Sequence, residues 1–211
     1  SLSASTTFGY YADKDINLNV TNTVNLFYSG SIPNNGFIIK KDDSVEFNSG
    51  SLFELRYFSI DTHTIFPPFL EFKWNDFTTV LTGSLASNIL TDSNFKLTLS
   101  NNAGYFYSGS IAKFRVNARP LYPTRTFSTS SIYTTNYYLP TQSYWSIKDL
   151  DTDEIIVDFD TTYTKISADS TSNYFTVYMN GLEPERYYKF LIKTIIDGQT
   201  IISDDNYYFK V

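Results

Sequence analysis

The sequence predicts an all-β protein made of two β-sandwich domains. Its 211 residues include 18 tyrosines and 18 phenylalanines but a single methionine, and aromatic and β-branched side chains favour pleated, half-buried surfaces. Several short segments alternate apolar and polar residues, which is the period of a strand with one buried face. In the second half these segments recur at short, regular spacing between Asp, Asn and Gly turns, a rhythm typical of a sandwich.

Composition also limits the partners and the chemistry that the chain can have. The formal net charge is −6 and no run of Lys or Arg occurs, so we expect no nucleic-acid partner. No apolar stretch reaches the roughly 18 residues of a membrane helix, so we expect no membrane insertion. Cysteine is absent, which excludes disulfides and thiolate chemistry. Stability must therefore come from burial of a core.

Residues 1–118 are predicted to form an incomplete jelly-roll-like sandwich. One short helix is expected over residues 19–28, with Asn19 or Thr21 as its N-cap and Gly30 just beyond its end. The segments predicted as strands in this half are residues 37–40, 52–58, 69–74, 95–99 and 111–116.

Residues 59–76 gather several rare residue types, including the sole histidine, His63. His63 could be the base of a Ser-His-Asp triad, but no Gly-x-Ser-x-Gly elbow occurs, and one His without Cys cannot form a His-rich zinc site. We interpret Pro67 and Pro68 as the start of a strand and expect Trp74 and its apolar neighbours to fill the core. No catalytic residue, enzyme activity or cofactor is therefore predicted.

Residues 119–211 are predicted to form an immunoglobulin-like or fibronectin III-like sandwich, entered through a proline-containing linker at 119–125. The six predicted strands cover residues 144–148, 154–159, 165–167, 174–179, 187–195 and 207–211. Leu182, Pro184 and Tyr187 resemble the Leu-x-Pro-x-x-Tyr corner before a long strand of fibronectin type III domains. That resemblance implies a Tyr187 hydroxyl bonded to upstream backbone, and it implies nothing about function.

An acidic run between two predicted strands is a weak candidate for a metal site. Asp149, Asp151 and Asp153 alternate as in a calcium loop. Glu154 and Asp160 occupy the positions where an EF-hand has Gly and Glu, so the calcium pattern fails. A polar hairpin turn is the simpler interpretation, and no metal is assigned.

Surface aromatic side chains are the candidate interaction surface. If residues 174–179 form a strand, alternate side chains point inward and leave Tyr174 and Tyr178 outside. The predicted interaction residues are Tyr137, Tyr138, Trp145, Tyr174 and Tyr178. Such a surface suits contact with another protein, and stacking against a glycan is the alternative.

Three stretches of the chain resemble known protein families, and two of them resemble virion proteins. Within residues 19–74, the order of Asn19-Val20-Thr21, the Pro33–Phe37 turn, the Pro67-Pro68 pair and the strand ending at Trp74 resembles the second half of DNRLRE-type jelly-roll modules. Residues 119–127 and 165–170 are similar to virion structural proteins of large tailed bacteriophages. The resemblance implies a non-enzymatic structural protein in the virion, in the tail, neck or baseplate, that binds other virion proteins in an oligomeric assembly. A carbohydrate-binding or host-surface adhesion module is the alternative.

The jelly-roll resemblance also bears on whether the chain is a whole protein or a fragment. Modules of this kind have strands before the helix, whereas only about 18 residues precede it here. We expect the chain to be a fragment of a longer protein; the alternative is a first domain completed by a neighbour's strand. Such a neighbour would use the unpaired backbone groups of an edge strand.

Overall fold

The computed structural model describes residues 2–50, 54–62, 67–123 and 135–211. Its main regular structure is two four-stranded antiparallel sheets, which confirms the prediction of an all-β fold. The chain divides into two compact units, Ser1–Phe69 and Leu70–Val211. The boundary predicted after residue 118 falls inside a strand, and the structure places the division after Phe69 instead.

Two helices lie in the described part of the first unit. Helix α1 spans Thr21–Tyr28, as predicted, and Gly30 beyond it has the left-handed φ of +70° that commonly ends helices. Val20 holds the N-cap position, so neither predicted cap residue does. The Asn19 side chain instead accepts a hydrogen bond from the first N–H of the helix at 3.0 Å. Helix α2 spans Asp43–Glu46.

Three segments that the apolar pattern predicts as strands are not strands where the structure describes them, and residues 52–53 of the segment 52–58 lie outside the described residues. Residues 37–40, 54–58 and 69–74 lie outside every helix and strand. The expectation that the last segment fills a core is also wrong, because Phe69 is 85% exposed and Trp74 is 46% exposed. A strand needs a neighbouring strand to pair its backbone groups, and none of the described segments pairs with these three.

The second unit is a stack of two sheets. Its described strands are β1 Phe95–Ser100, β2 Ile111–Pro120, β3 Ser143–Asp149, β4 Ile155–Val157, β5 Ser167–Ala168, β6 Asn173–Tyr178, β7 Tyr187–Ile196 and β8 Gln199–Lys210. The strand orders are β1-β2-β6-β5 and β4-β3-β7-β8, and every pairing is antiparallel. Two short 3-10 helices, Gly83–Asn88 and Met179–Gly181, flank the strands. Each strand predicted between residues 144 and 211 overlaps an observed one.

An aromatic core joins the two sheets. Phe114 and Phe175 come from the sheet of β2 and β6, whereas Phe190 and Phe209 come from the sheet of β7 and β8. The ring centroid of Phe190 lies 4.6 Å from those of Phe114 and Phe209 and 5.1 Å from that of Phe175. Burying one such ring contributes about 1.5–3 kcal/mol. The strands therefore share one core, into which both sheets project phenylalanines.

The corner before β7 is locked by Tyr188 and not by Tyr187. The Tyr188 hydroxyl donates to the Glu183 carbonyl at 3.1 Å and accepts from the Glu183 N–H at 2.9 Å. Tyr188 is 2% exposed and Tyr187 is 51% exposed, because alternate residues of β7 face the core and Tyr188 shares the inward face with Phe190. Burial raises the pKa of Tyr188, so the hydroxyl keeps the proton that it donates. The predicted corner exists, with its tyrosine one residue later.

Replacing Tyr188 by phenylalanine is expected to lower the free energy of unfolding by about 1–2 kcal/mol, because both backbone groups of Glu183 lose their partner. Tyr187→Phe is the matched control, and we expect it to change stability by less than about 0.5 kcal/mol. Urea unfolding of the two variants measures the difference. Equal losses of stability in the two variants would mean that the Tyr188 hydroxyl does not lock the corner.

Candidate interaction surfaces

Three of the five residues predicted to bind a partner belong to the packed interior or its margin. Tyr138 is completely buried, and its hydroxyl donates to the Ser170 carbonyl at 3.1 Å. The Trp145 indole stacks on Phe175 with a centroid distance of 5.1 Å. Tyr137 is half-buried against the same core. Tyr138 therefore cannot contact a partner, and Trp145 is committed to packing.

The other two predicted residues, Tyr174 and Tyr178, lie on the outer face of β6, as the alternation predicts. The ammonium of Lys113 sits 3.5 Å from the Tyr174 ring centroid, and the Trp74 ring meets Tyr178 edge-on at 4.9 Å. Both tyrosines are thus partly covered by side chains of their own chain. What remains exposed is small compared with a protein interface.

The acidic run after β3 forms a hairpin turn. One oxygen of Asp149 accepts hydrogen bonds from the N–H groups of Asp151 and Thr152 at 2.8 and 2.9 Å, and the other accepts from Arg186 at 3.0 Å. Asp153 pairs with Lys148 at 2.7 Å. The turn joins the antiparallel strands β3 and β4, which confirms the hairpin interpretation. In the part of the chain that the structure describes, no cluster of His, Asp or Glu could hold a metal ion.

The other residues and segments singled out in the sequence analysis indicate no functional site among the described residues. His63 lies outside the described residues. Pro67 and Pro68 do not begin a strand, contrary to the prediction. The linker predicted at 119–125 overlaps β2, which ends at Pro120.

The first unit exposes apolar side chains instead of burying them. None of its described side chains is buried. Ile38 is 89% exposed and Phe47 is 85% exposed. The other strongly exposed apolar residues of this unit are Leu2, Tyr10, Tyr11, Tyr28, Ile39, Ile60 and Phe69. Monomeric proteins rarely leave large apolar patches in water, and ordering a chain without burying apolar surface is unfavourable. The described residues of this unit therefore form no core of their own.

Two ion pairs of that unit join residues that are close in the sequence. Lys40 forms an ion pair with Asp43, and Arg56 donates to Glu54 at 2.8 Å. Residues 1–69 contain seven acidic and four basic side chains, a formal net charge of −3, so the exposed apolar side chains lie on a mildly acidic unit.

A second exposed aromatic surface, the tyrosine patch, lies at one end of the sheet of β7 and β8. It consists of Tyr105, Tyr107, Tyr187 and Tyr208, all of them exposed. Tyr105 and Tyr107 meet edge-on at 5.3 Å. Lys210 pairs with Tyr187 across the two strands and with Tyr105 through an isolated bridge. The patch thus brings together tyrosines that are far apart in the sequence.

Sequence reasoning missed the tyrosine patch, although one signal was present. In an extended segment, the side chains of Tyr105, Phe106 and Tyr107 would alternate in direction. In the structure Phe106 packs into the core against Phe114 and Phe209, and its two neighbours point outward. The segment is too short to predict as a strand. It is held by the Phe106 N–H, which donates to the Lys210 carbonyl at 2.8 Å.

Comparison with known proteins does not identify a family. No protein-family model matches the chain, and no match was found among the curated proteins or the solved structures. Among the described residues, no helix is both long and apolar enough to cross a membrane. The function must therefore be inferred from the surfaces of this chain.

Proposed function

We propose that this chain is a non-enzymatic structural subunit that binds other protein subunits in a larger assembly. The proposed setting is the virion of a tailed phage, in its tail, neck or baseplate. The observation that carries the proposal is the exposed apolar surface of the first unit, with Ile38 and Phe47 as its most prominent members. The setting rests on the resemblance of residues 119–127 and 165–170 to virion structural proteins of large tailed phages.

Burial energetics support this proposal. Covering one exposed Ile or Phe side chain contributes about 1.5–3 kcal/mol. Affinity in protein interfaces is concentrated in a few such anchors, and obligate interfaces resemble a domain core shared between chains. A subunit that supplies half of such a core has a physical reason to leave apolar groups unburied until it assembles.

The ion pair between Arg115 and Asp169 also supports a structural role. Arg115 of β2 donates to both carboxylate oxygens of Asp169 at 3.0 and 2.9 Å. The Arg115 bonds, with help from the backbone N–H groups of Ser172 and Thr171, hold the pKa of Asp169 far below its usual value. A carboxylate fixed in this way connects β2 to the turn before β6, and it is poorly suited to exchange protons near neutral pH.

Limited proteolysis of the chain, free and inside purified particles, tests the proposal. We expect the first unit to be cut rapidly in the isolated chain and to resist cleavage in the particle. The sandwich should resist cleavage in both samples and serves as the internal control. Absence of the chain from particles, together with a first unit that resists cleavage in the free chain, would overturn the proposal.

The tyrosine patch favours a second candidate function, binding of a glycan. Tyrosine rings offer apolar faces with polar edges, which suits sugar rings as well as proteins. A glycan array tests it with Tyr107→Ala as the patch variant and Tyr122→Ala, exposed but outside the patch, as the control. Binding that only the patch variant loses would support this function, and no binding by the natural sequence would exclude it. Trp145→Ala is unsuitable because it removes a stacking partner of Phe175.

A further inference from the structure

We infer that Asn35 is a modification site, at which attack by the following backbone nitrogen converts the side-chain amide to a carboxylate. The chain contains two Asn-Gly dipeptides, Asn35-Gly36 and Asn180-Gly181. Because glycine has no Cβ, its backbone nitrogen is unhindered toward the side chain that precedes it. The two dipeptides lie in opposite structural settings, and that contrast assigns the modification to Asn35.

The reaction consumes water and needs no other reactant. The Gly36 nitrogen forms a bond to Cγ of Asn35 and gives up its proton, while the bond from Cγ to Nδ2 breaks and the amide nitrogen leaves as ammonia. Water then opens the resulting imide ring at one of its carbonyl groups. Opening at the former backbone carbonyl gives isoaspartate, in which the backbone continues through the side chain, and opening at the former side-chain carbonyl gives aspartate.

The setting of Asn35 allows this ring to close. Asn35 and Gly36 are exposed and lie outside every helix and strand. Residues 33–40 take part in none of the backbone–backbone hydrogen bonds found among the described residues. Gly36 has a φ of +82°, and a Cβ built on it would meet nothing within 4 Å. The Gly36 N–H donates to the Asn34 side chain at 3.1 Å, an exposed local bond that rotation of the turn breaks. The nitrogen therefore reaches Cγ without disturbing a packed element.

Asn180 is also exposed, but its backbone is held in place. It lies in the 3-10 helix Met179–Gly181. The Leu182 N–H donates to the Met179 carbonyl at 3.0 Å, and the side chains of Met179 and Leu182 are both buried. Turning the Gly181 nitrogen toward the Asn180 side chain would break this helix, so ring closure there requires local unfolding.

The product changes the first unit in two ways. The new carboxyl group has an ordinary pKa of about 3.9, so it is ionised at neutral pH and adds a negative charge to the unit. Isoaspartate also lengthens the backbone by one carbon shortly before Phe37, whose ring meets that of Phe27 at 5.7 Å. The modification therefore alters the turn that leads into the exposed segment 37–39.

Peptide mapping by mass spectrometry tests the inference on the folded chain. The protein is incubated at mildly alkaline pH in water enriched in heavy oxygen, so that each converted residue carries a labelled oxygen. We expect aspartate and isoaspartate to accumulate at Asn35 at least about tenfold faster than at Asn180, since only the second site must wait for local opening. Asn180 is thus a matched control within the same molecule.

The same measurement on the urea-unfolded chain separates the effect of the fold from that of the local sequence. Without the fold, the two sites should convert at similar rates, and Gly36→Ala should slow conversion at Asn35 alone because its methyl group shields the attacking nitrogen. Three results would overturn the inference. They are equal rates at the two sites in the folded chain, a difference that persists unchanged in urea, and a rate at Asn35 that Gly36→Ala leaves unaltered.

Discussion

Replacing Phe190 by alanine is expected to lower the free energy of unfolding of the sandwich by about 3–5 kcal/mol. The Phe190 ring is completely buried and contacts Phe114, Phe175 and Phe209. Because these neighbours belong to both sheets, the cavity cannot close unless the sheets move. Urea unfolding followed by tryptophan fluorescence, to which Trp145 contributes from its stacked position on Phe175, measures the loss.

Phe72→Ala is the matched control for this prediction. Phe72 is 64% exposed, so its truncation should cost less than about 0.5 kcal/mol. The apolar pattern alone predicts Phe72 as a core residue, so equal costs would contradict its position in the structure. Should Phe190→Ala fail to fold, Phe190→Leu keeps most of the volume and is expected to cost about 1–1.5 kcal/mol.

The contrast between β7 and residues 37–40 explains how far the sequence predicts this fold. Along β7 the burial of side chains alternates from Tyr187 to Ile196. Its partner strand β8 follows directly after the turn at Asp197-Gly198, so the alternating strand and the strand that pairs with it are neighbours in the sequence. Residues 37–40 have a similar apolar composition but pair with no described strand. A pattern reports which face a strand would bury, whereas its pairing depends on a partner that the local sequence does not specify.

The interaction residues were harder to predict because exposure depends on the second sheet and on distant segments. The Tyr138 backbone bonds to Asn88 and Leu90, and Trp145 is covered by Phe175 from the opposite sheet. Neither contact follows from the spacing around the aromatic residue. Tyr174 and Tyr178 were placed correctly since a strand's own alternation determines which side chains face outward.

The ion pair between Asp149 and Arg186 supports the last prediction. Asp149 is buried, and Arg186 is its only side-chain partner among the described hydrogen bonds, at 3.0 Å. Arg186→Gln removes that charge and leaves a buried carboxylate with two backbone N–H donors. The Arg186 side chain is 38% exposed, so solvent screens its charge, and we expect a loss of about 2 kcal/mol at pH 7, below the 3–5 kcal/mol typical of a fully buried pair.

The pH dependence of that loss distinguishes an ionic contact from simple packing. Burial alone would raise the pKa of Asp149, but the Thr152 N–H, the Arg186 guanidinium and the Asp151 N–H outweigh it and lower the pKa. A carboxyl whose pKa is lowered by folding stabilises the protein above its unfolded pKa of about 3.9, and this stabilisation is lost as the pH falls through the folded value. The difference between the natural sequence and Arg186→Gln should therefore shrink below about pH 4.

Urea unfolding at pH 7 and pH 3 measures this change, with Lys148→Gln as the control. Lys148 pairs with Asp153, whose side chain is largely exposed, so its removal should cost no more than about 1 kcal/mol at pH 7. A loss for Arg186→Gln that stays the same at both pH values would mean that the side chain acts through packing alone. A loss that is smaller at pH 3 would mean that the ionised Asp149 carboxylate holds β3 to the corner before β7. In the sequence, the same carboxylate belongs to the alternating acidic run that resembles a calcium loop.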